Sequence, residues 1–155
     1  TRTIMWLRRD HPVLRRRRFF TGDAGHGGES ELGEIEWLTP AGESMTDQDW
    51  TTWYARAMMV FLNGEAIAEP DERGQRIVDN SFLVLINASD EDITFTLPGE
   101  GYSPTWKVAL DTAPAVDGDS DPVLAADETV VVEARSMLFL MDAPDSTATT
   151  ERLQH

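Results

Sequence analysis

Short alternations of apolar and polar residues, broken at close intervals by turn-forming types, run through most of this chain. Glu34-Ile35-Glu36-Trp37-Leu38 alternates and then meets Pro40-Ala41-Gly42, a turn signal. Ala57 to Leu62 is an apolar strand that ends at Asn63-Gly64, a dipeptide suited to tight turns. Ser81 to Ile86 is the most apolar run of the chain and predicts a central strand. Ile93, Phe95 and Leu97 alternate with Thr94 and Thr96, which predicts one buried face and one wet face. Trp106-Lys107-Val108-Ala109-Leu110 alternates again, and Thr129 to Glu133 and Ser136 to Met141 complete the set. About seven short strands separated by turns predict a mostly β protein built as an antiparallel β-sandwich. Trp37 and Trp106, each inside an alternating strand, read as core residues.

Two segments depart from the period of two. Thr1 to Asp10 has Ile4, Met5, Leu7 and Arg8 spaced to give one apolar helical stripe. Pro12 disfavours the helical region for His11, so this helix should stop near Asp10. A helix that short is marginal alone in water, so its apolar stripe needs a surface on this chain or on another domain. Thr46 to Trp50 reads as a capped helical turn, with Thr46 or Asp47 accepting from exposed backbone amides. Val13 to Phe20 reads as extended, and Thr21 to Gly33 as a Gly-rich loop. Asp71 to Gly74 and the acidic stretch Asp111 to Asp127 also read as loops. The organisation expected is a helix end and linker over residues 1–33, a sandwich domain over 34–142 and a disordered tail over 143–155.

Composition then narrows the chemistry. The chain has 155 residues and no cysteine, so it has no disulfide, thiolate metal site or cysteine nucleophile. That permits a reducing compartment, and a cytoplasmic location is expected. No apolar run approaches the roughly 18 residues of a membrane span. The start is rich in arginine but has neither the long apolar centre nor the cleavage site of a signal peptide. A chain opening on Thr1 fits a fragment or a processed product. Asn87-Ala88-Ser89 matches a glycosylation sequon, which without a secretory signal reads as chance. The net charge of −15 is uneven: residues 1–20 carry seven arginines against Asp10, a net +6, and the rest carries −21. So acidic a body repels polyphosphate and argues against nucleic acid as a partner.

Few residues are candidates for chemistry. The carboxylate groups Glu34/Glu36, Asp47/Asp49 and Asp90/Glu91/Asp92 lie on turns and strand ends, where solvated surface is the expected role rather than a rigid acid–base pair. Asp117, Asp119, Asp121 and Glu128 superficially resemble a calcium loop, but Pro122 stands where that loop needs glycine. His11, His26 and His155 are scattered. No catalytic residue, metal site or cofactor is therefore expected. Arg15 to Arg18 read as a salt-bridging linker between domains in preference to a nucleic-acid patch. Trp50 and Trp53, on or beside a turn, are the candidate sugar-binding residues, since exposed indoles stack on the C–H faces of sugar rings.

The segment His11-Pro12-Val13-Leu14-Arg15-Arg16-Arg17-Arg18-Phe19-Phe20 resembles the one leaving the last barrel helix in bacterial glycogen-debranching enzymes and isoamylases of the α-amylase superfamily. Glu34 to Leu38, Gly42 to Thr46 with Asp49-Trp50, and Phe61 to Ile67 resemble successive later blocks of that family. Phe82 to Pro98, Trp106 to Ala113 and Ala134 to Leu140 are similar to strands of its C-terminal domain. The blocks keep family order over residues 1–141. The resemblance implies a parent that hydrolyses α-1,6 branch linkages in glycogen or limit dextrin by a retaining, two-carboxylate mechanism. It also implies that the N-terminal helix is left from a preceding (β/α)8 barrel, and that the catalytic carboxylates lie upstream of Thr1 on that barrel. The expected role is a non-catalytic domain that packs on the catalytic barrel of the parent chain. A free-standing module for α-glucans and an interaction module using the Arg run are the alternatives.

Overall fold

Eight β-strands and two helices make up the regular structure of the computed structural model, which describes residues 2–16, 32–52, 56–67, 69–113 and 122–143. The helix α1 spans Arg2–Asp10 and is followed by a 3₁₀ turn at Pro12–Leu14. The strands are β1 (Ile35–Leu38), β2 (Ala57–Leu62), β3 (Phe82–Asn87), β4 (Ile93–Thr96), β5 (Thr105–Asp111), β6 (Val123–Ala125), β7 (Thr129–Val132) and β8 (Ser136–Asp142). A second helix, α2 (Asp47–Thr51), lies between β1 and β2. All pairings are antiparallel, in a six-stranded sheet ordered β1-β2-β3-β8-β5-β6 and a two-stranded sheet β4-β7. The run at Ser81 to Ile86 is the central strand expected, because β3 has a neighbour on each side and is buried on both faces.

The two sheets share one core. Phe95, Leu97 and Val132 from the small sheet and its flank pack with Leu38, Met59, Phe61, Leu83, Leu85, Trp106, Leu138 and Leu140 from the large one. Phe61 meets Tyr102 edge-on at 5.0 Å and Trp106 at 6.3 Å, both near-perpendicular contacts that suit aromatic quadrupoles. Burying each such large side chain is worth about 1.5–3 kcal/mol. At one end the sheets are tied by Asn87, which is 1% exposed. Its amide donates to the carbonyls of Glu91, Val132 and Glu133, and its oxygen accepts from the Ser89 amide and hydroxyl. The sequon asparagine is thus a buried polar hub, and no sugar can reach it without undoing these bonds.

The other face of the large sheet is covered only in part. A two-stranded sheet cannot shield both faces of a six-stranded one. Leu7 of α1 and Val13 of the 3₁₀ turn pack on Phe82, Leu62 and Met141 at one end of that outer face. Pro12 starts the turn with its ring-fixed φ, and the Leu14 and Arg15 amides close it on the carbonyls of His11 and Pro12. Asp79 holds the segment down: its carboxylate bonds His11 Nδ1 at 2.8 Å and the Val13 amide at 3.0 Å.

Three expectations need correction. The 3₁₀ turn replaces extended chain at the start of Val13 to Phe20; residues 17–20 lie outside the described residues. β6 forms within the stretch read as an acidic loop, because Trp106 offers Leu124 an apolar cross-strand partner. Asn63-Gly64 does end β2 in a turn, with the Glu65 amide donating to Asn63 Oδ1 at 3.0 Å. Gly64 is needed there because a Cβ would stand 2.2 Å from the Asp79 carbonyl oxygen and 2.3 Å from that of Asn80. Trp37 is 38% exposed, whereas Trp106 is fully buried as expected. The register places Trp37 across from Val60 on the outer face, while Trp106 points to the small sheet. The turn at Pro40-Ala41-Gly42 does form, with Gly42 at φ 84°.

Candidate functional site

Exposed aromatic surface gathers where β1 meets α2. Trp37 on β1 and Trp50 on α2 lie in edge-to-face contact, ring centroids 5.2 Å apart and planes at 74°. They stay 38% and 49% exposed. The local chain makes this meeting inevitable once β1 is in the sheet. Gly42 turns the chain, and the Met45 amide donates back to the Trp37 carbonyl at 2.8 Å. Thr46 then caps α2: its hydroxyl accepts from the Asp49 amide, and Asp49 Oδ2 accepts from the Thr46 amide at 2.7 Å and hydroxyl at 2.8 Å. Those two bonds, the backbone one foremost, hold the Asp49 carboxyl below its ordinary value. Trp50 follows Asp49 directly, so the capping box fixes the helix that presents it. Trp53 lies outside the described residues.

Most of the named carboxylates are engaged in structure. Glu36 accepts the Gly33 amide, Glu34 pairs with Arg16 at 3.2 Å, and Asp92 accepts the Ala134 amide. Asp90 lies 3.8 Å from Arg56. Glu128, last of the calcium-like set, accepts the Ala125 amide beside the β6–β7 turn, while Asp117, Asp119 and Asp121 lie outside the described residues. Among the described residues no three metal-binding side chains cluster. Of the arginine run, Arg16 docks on the sandwich itself, bonding the Asn63 carbonyl as well as Glu34. Burial pulls its pKa down, opposed by the charges of Glu34 and Glu69. Arg17 and Arg18 lie outside the described residues, as do His26 and His155.

A cavity of about 360 Å³ opens beside this N-terminal strap. Its walls include Pro12, Arg15, Ile67, Glu69, Asp71 and Ile77. Three carboxylates, Glu69, Asp71 and Glu72, and two arginines, Arg15 and Arg16, line it with Ile67 and Ile77.

The outer face of the large sheet is the larger open surface. Cross-strand partners stand on one face, so Trp37, Val60, Val84, Phe139 and Leu110 form a continuous apolar row. Met58, Ile86 and Met137 form the next. All but the nearly covered Val84 are partly exposed or, for Trp37, exposed. On α1, Ile4, Met5 and Trp6 are 52%, 68% and 52% exposed. Of the helical stripe expected from sequence, Leu7 is buried while Ile4 and Met5 stay open; the sheet rows were not found, because alternation marks two faces without saying which one a neighbour covers.

A model of the isoamylase C-terminal family matches residues 34–143, a span that contains every strand described above. The chain belongs to the isoamylase C-terminal family. It is also 49% identical over 134 residues to proteins named glycogen operon protein GlgX homolog, from Mycobacterium bovis and from Mycobacterium tuberculosis. That similarity covers 86% of this chain but 18% of each relative. The isoamylase-type resemblance read from the sequence blocks is therefore confirmed. This isoamylase C-terminal domain is a mostly β, antiparallel sandwich with one short N-terminal helix. Among the described residues no helix is long and apolar enough to cross a membrane.

Proposed function

We propose that this chain is the non-catalytic C-terminal domain of a glycogen-debranching glycoside hydrolase, and that it packs on the catalytic barrel through α1 and the outer face of β2, β3 and β8. The parent hydrolyses α-1,6 branch linkages in the cytoplasm, with both carboxylates of its retaining mechanism on the barrel. Residues 1–33 are then the end of a barrel helix and its linker. The observation that carries the reading is uncovered apolar surface on both the helix and the sheet. Leu7 of α1 packs at one end of the sheet face that carries the open apolar rows, and Ile4, Met5 and Trp6 of the same helix stay exposed. A nine-residue helix does not hold together alone in water, and this one buries only Leu7 in the sandwich. The relatives are more than five times the length of the matched segment, which leaves ample chain to cover these surfaces.

The carboxylates of the sandwich support the non-catalytic half of the reading, since those described above cap turns, pair with arginine or anchor the strap. The assay is hydrolysis of pullulan and of limit dextrin by the 155-residue chain and by a longer parent. Turnover by the longer chain alone is expected. Measurable turnover by the short chain would sink the proposal.

A further inference from the structure

The Trp37–Trp50 pair lies at the edge of the apolar face and is built differently from it. Apart from Phe139 the other residues of the rows are aliphatic or methionine, and Trp37 ends its row on the edge strand β1. The two indoles are instead held out by a dedicated device: a turn at Gly42, a return bond to the Trp37 carbonyl and a capping box under Trp50. In a T-shaped pair one ring gives its edge to the other's face, so the rings do not cover each other face to face, and Trp37 and Trp50 stay 38% and 49% exposed. Half-exposed tryptophan on a pre-organised surface costs little side-chain entropy when a flat ligand settles on it. The neighbouring side chains of α2, Asp47, Gln48 and Thr51, are exposed and supply acceptors and donors beside the rings.

Charge restricts what that ligand is. Outside the first twenty residues the chain carries −21, so phosphate, nucleic acid and acidic peptides are repelled over long range. A neutral polyol is indifferent to that field. It meets the indole with its C–H face and the polar rim with its hydroxyls. We infer that Trp37 and Trp50 form an accessory α-glucan site, which holds the polymer away from the catalytic centre. The choice of an α-glucan rests on the proposed debranching parent; the presence of a sugar-stacking pair does not.

The test titrates the 155-residue chain with maltoheptaose while following the tryptophan indole N–H signals by NMR. Trp50→Ala and Trp37→Ala are read in parallel, with thermal unfolding of each variant as the folding check and Trp50→Phe as the conservative variant. Dissociation constants on the order of millimolar are expected, weakened about tenfold by either alanine and largely kept by phenylalanine. Cellohexaose, with the same rings in a flat chain, should bind more weakly. No response of the Trp37 and Trp50 signals at tens of millimolar maltoheptaose, or a response unchanged in folded Trp50→Ala, would overturn the site. Association of the chain through the pair in place of sugar binding, visible as a dimer lost in Trp50→Ala, would overturn it too. Turnover of limit dextrin by the longer parent separates the two readings: activity there with a silent aromatic pair removes the glucan site alone.

Discussion

Asp79 ties the N-terminal strap to the sandwich through polar bonds that accompany the buried Leu7 and Val13. Its carboxylate serves His11, the Val13 amide and the Asn80 amide, and its side chain is 7% exposed. Asp79→Ala should cost about 2–3 kcal/mol, because it strands the Val13 amide and His11 in a nearly dry site. Urea unfolding of the two chains measures this. Asp142, nearby, has the opposite pH character. Burial raises its pKa above the ordinary 3.8, against the lowering bonds from the Asn80 side chain and the Ser81 backbone. An acid raised on folding binds its proton more tightly in the folded state. Its stabilising contribution is therefore present at low pH and is lost as pH rises from about 3.8 through the folded value. Asp142→Asn keeps an oxygen for Asn80 to bond and should raise the melting temperature near pH 7 by a few degrees, with no gain near pH 3. At this scale the sequence was partly silent. Nothing in Asp79 or Asn87 as letters marks them as hubs, since both take their roles from partners distant along the chain.

At the scale of elements, the strands were legible because alternation and turn residues agreed. The run Ala57 to Leu62 and the run Ser136 to Met141 each became strands of the central sheet. The three-residue β6 was hidden by its acidic surroundings, and needed Trp106 and Leu124 to meet before it existed. Trp50 was legible as exposed because it follows a capping signal. Its companion Trp37 was not, because identical alternation describes a strand residue on the covered and the uncovered face. The cap makes a prediction of its own. Thr46→Ala removes the hydroxyl that binds Asp49 and should destabilise α2 locally by about 1 kcal/mol. The Trp50 indole signal should broaden or shift while global unfolding hardly changes. Acid should act similarly: Asp49 is held below 3.8, so its contribution is present above that value and lost as pH falls through the lower folded value. Loss of Trp37–Trp50 contact on acidification, reversed on neutralisation, is the expected signature.

At the scale of the molecule, the sandwich is lopsided, with six strands against two. One core closes between the sheets, and the N-terminal strap covers one end of the face left over. The remainder is methionine, valine, isoleucine, leucine and aromatic surface beside a helix whose apolar stripe also faces outward. Soluble domains seldom leave so continuous an apolar face open unless a partner covers it. The methionines make the covering measurable. Oxidative footprinting should compare Met5, Met58 and Met137 in the 155-residue chain and in a parent that includes the barrel, with the fully buried Met59 as the internal reference. Packing on the barrel predicts that Met5, Met58 and Met137 become several-fold slower to oxidise in the parent while Met59 stays protected in both. Equal oxidation of those three methionines in the two chains would contradict it.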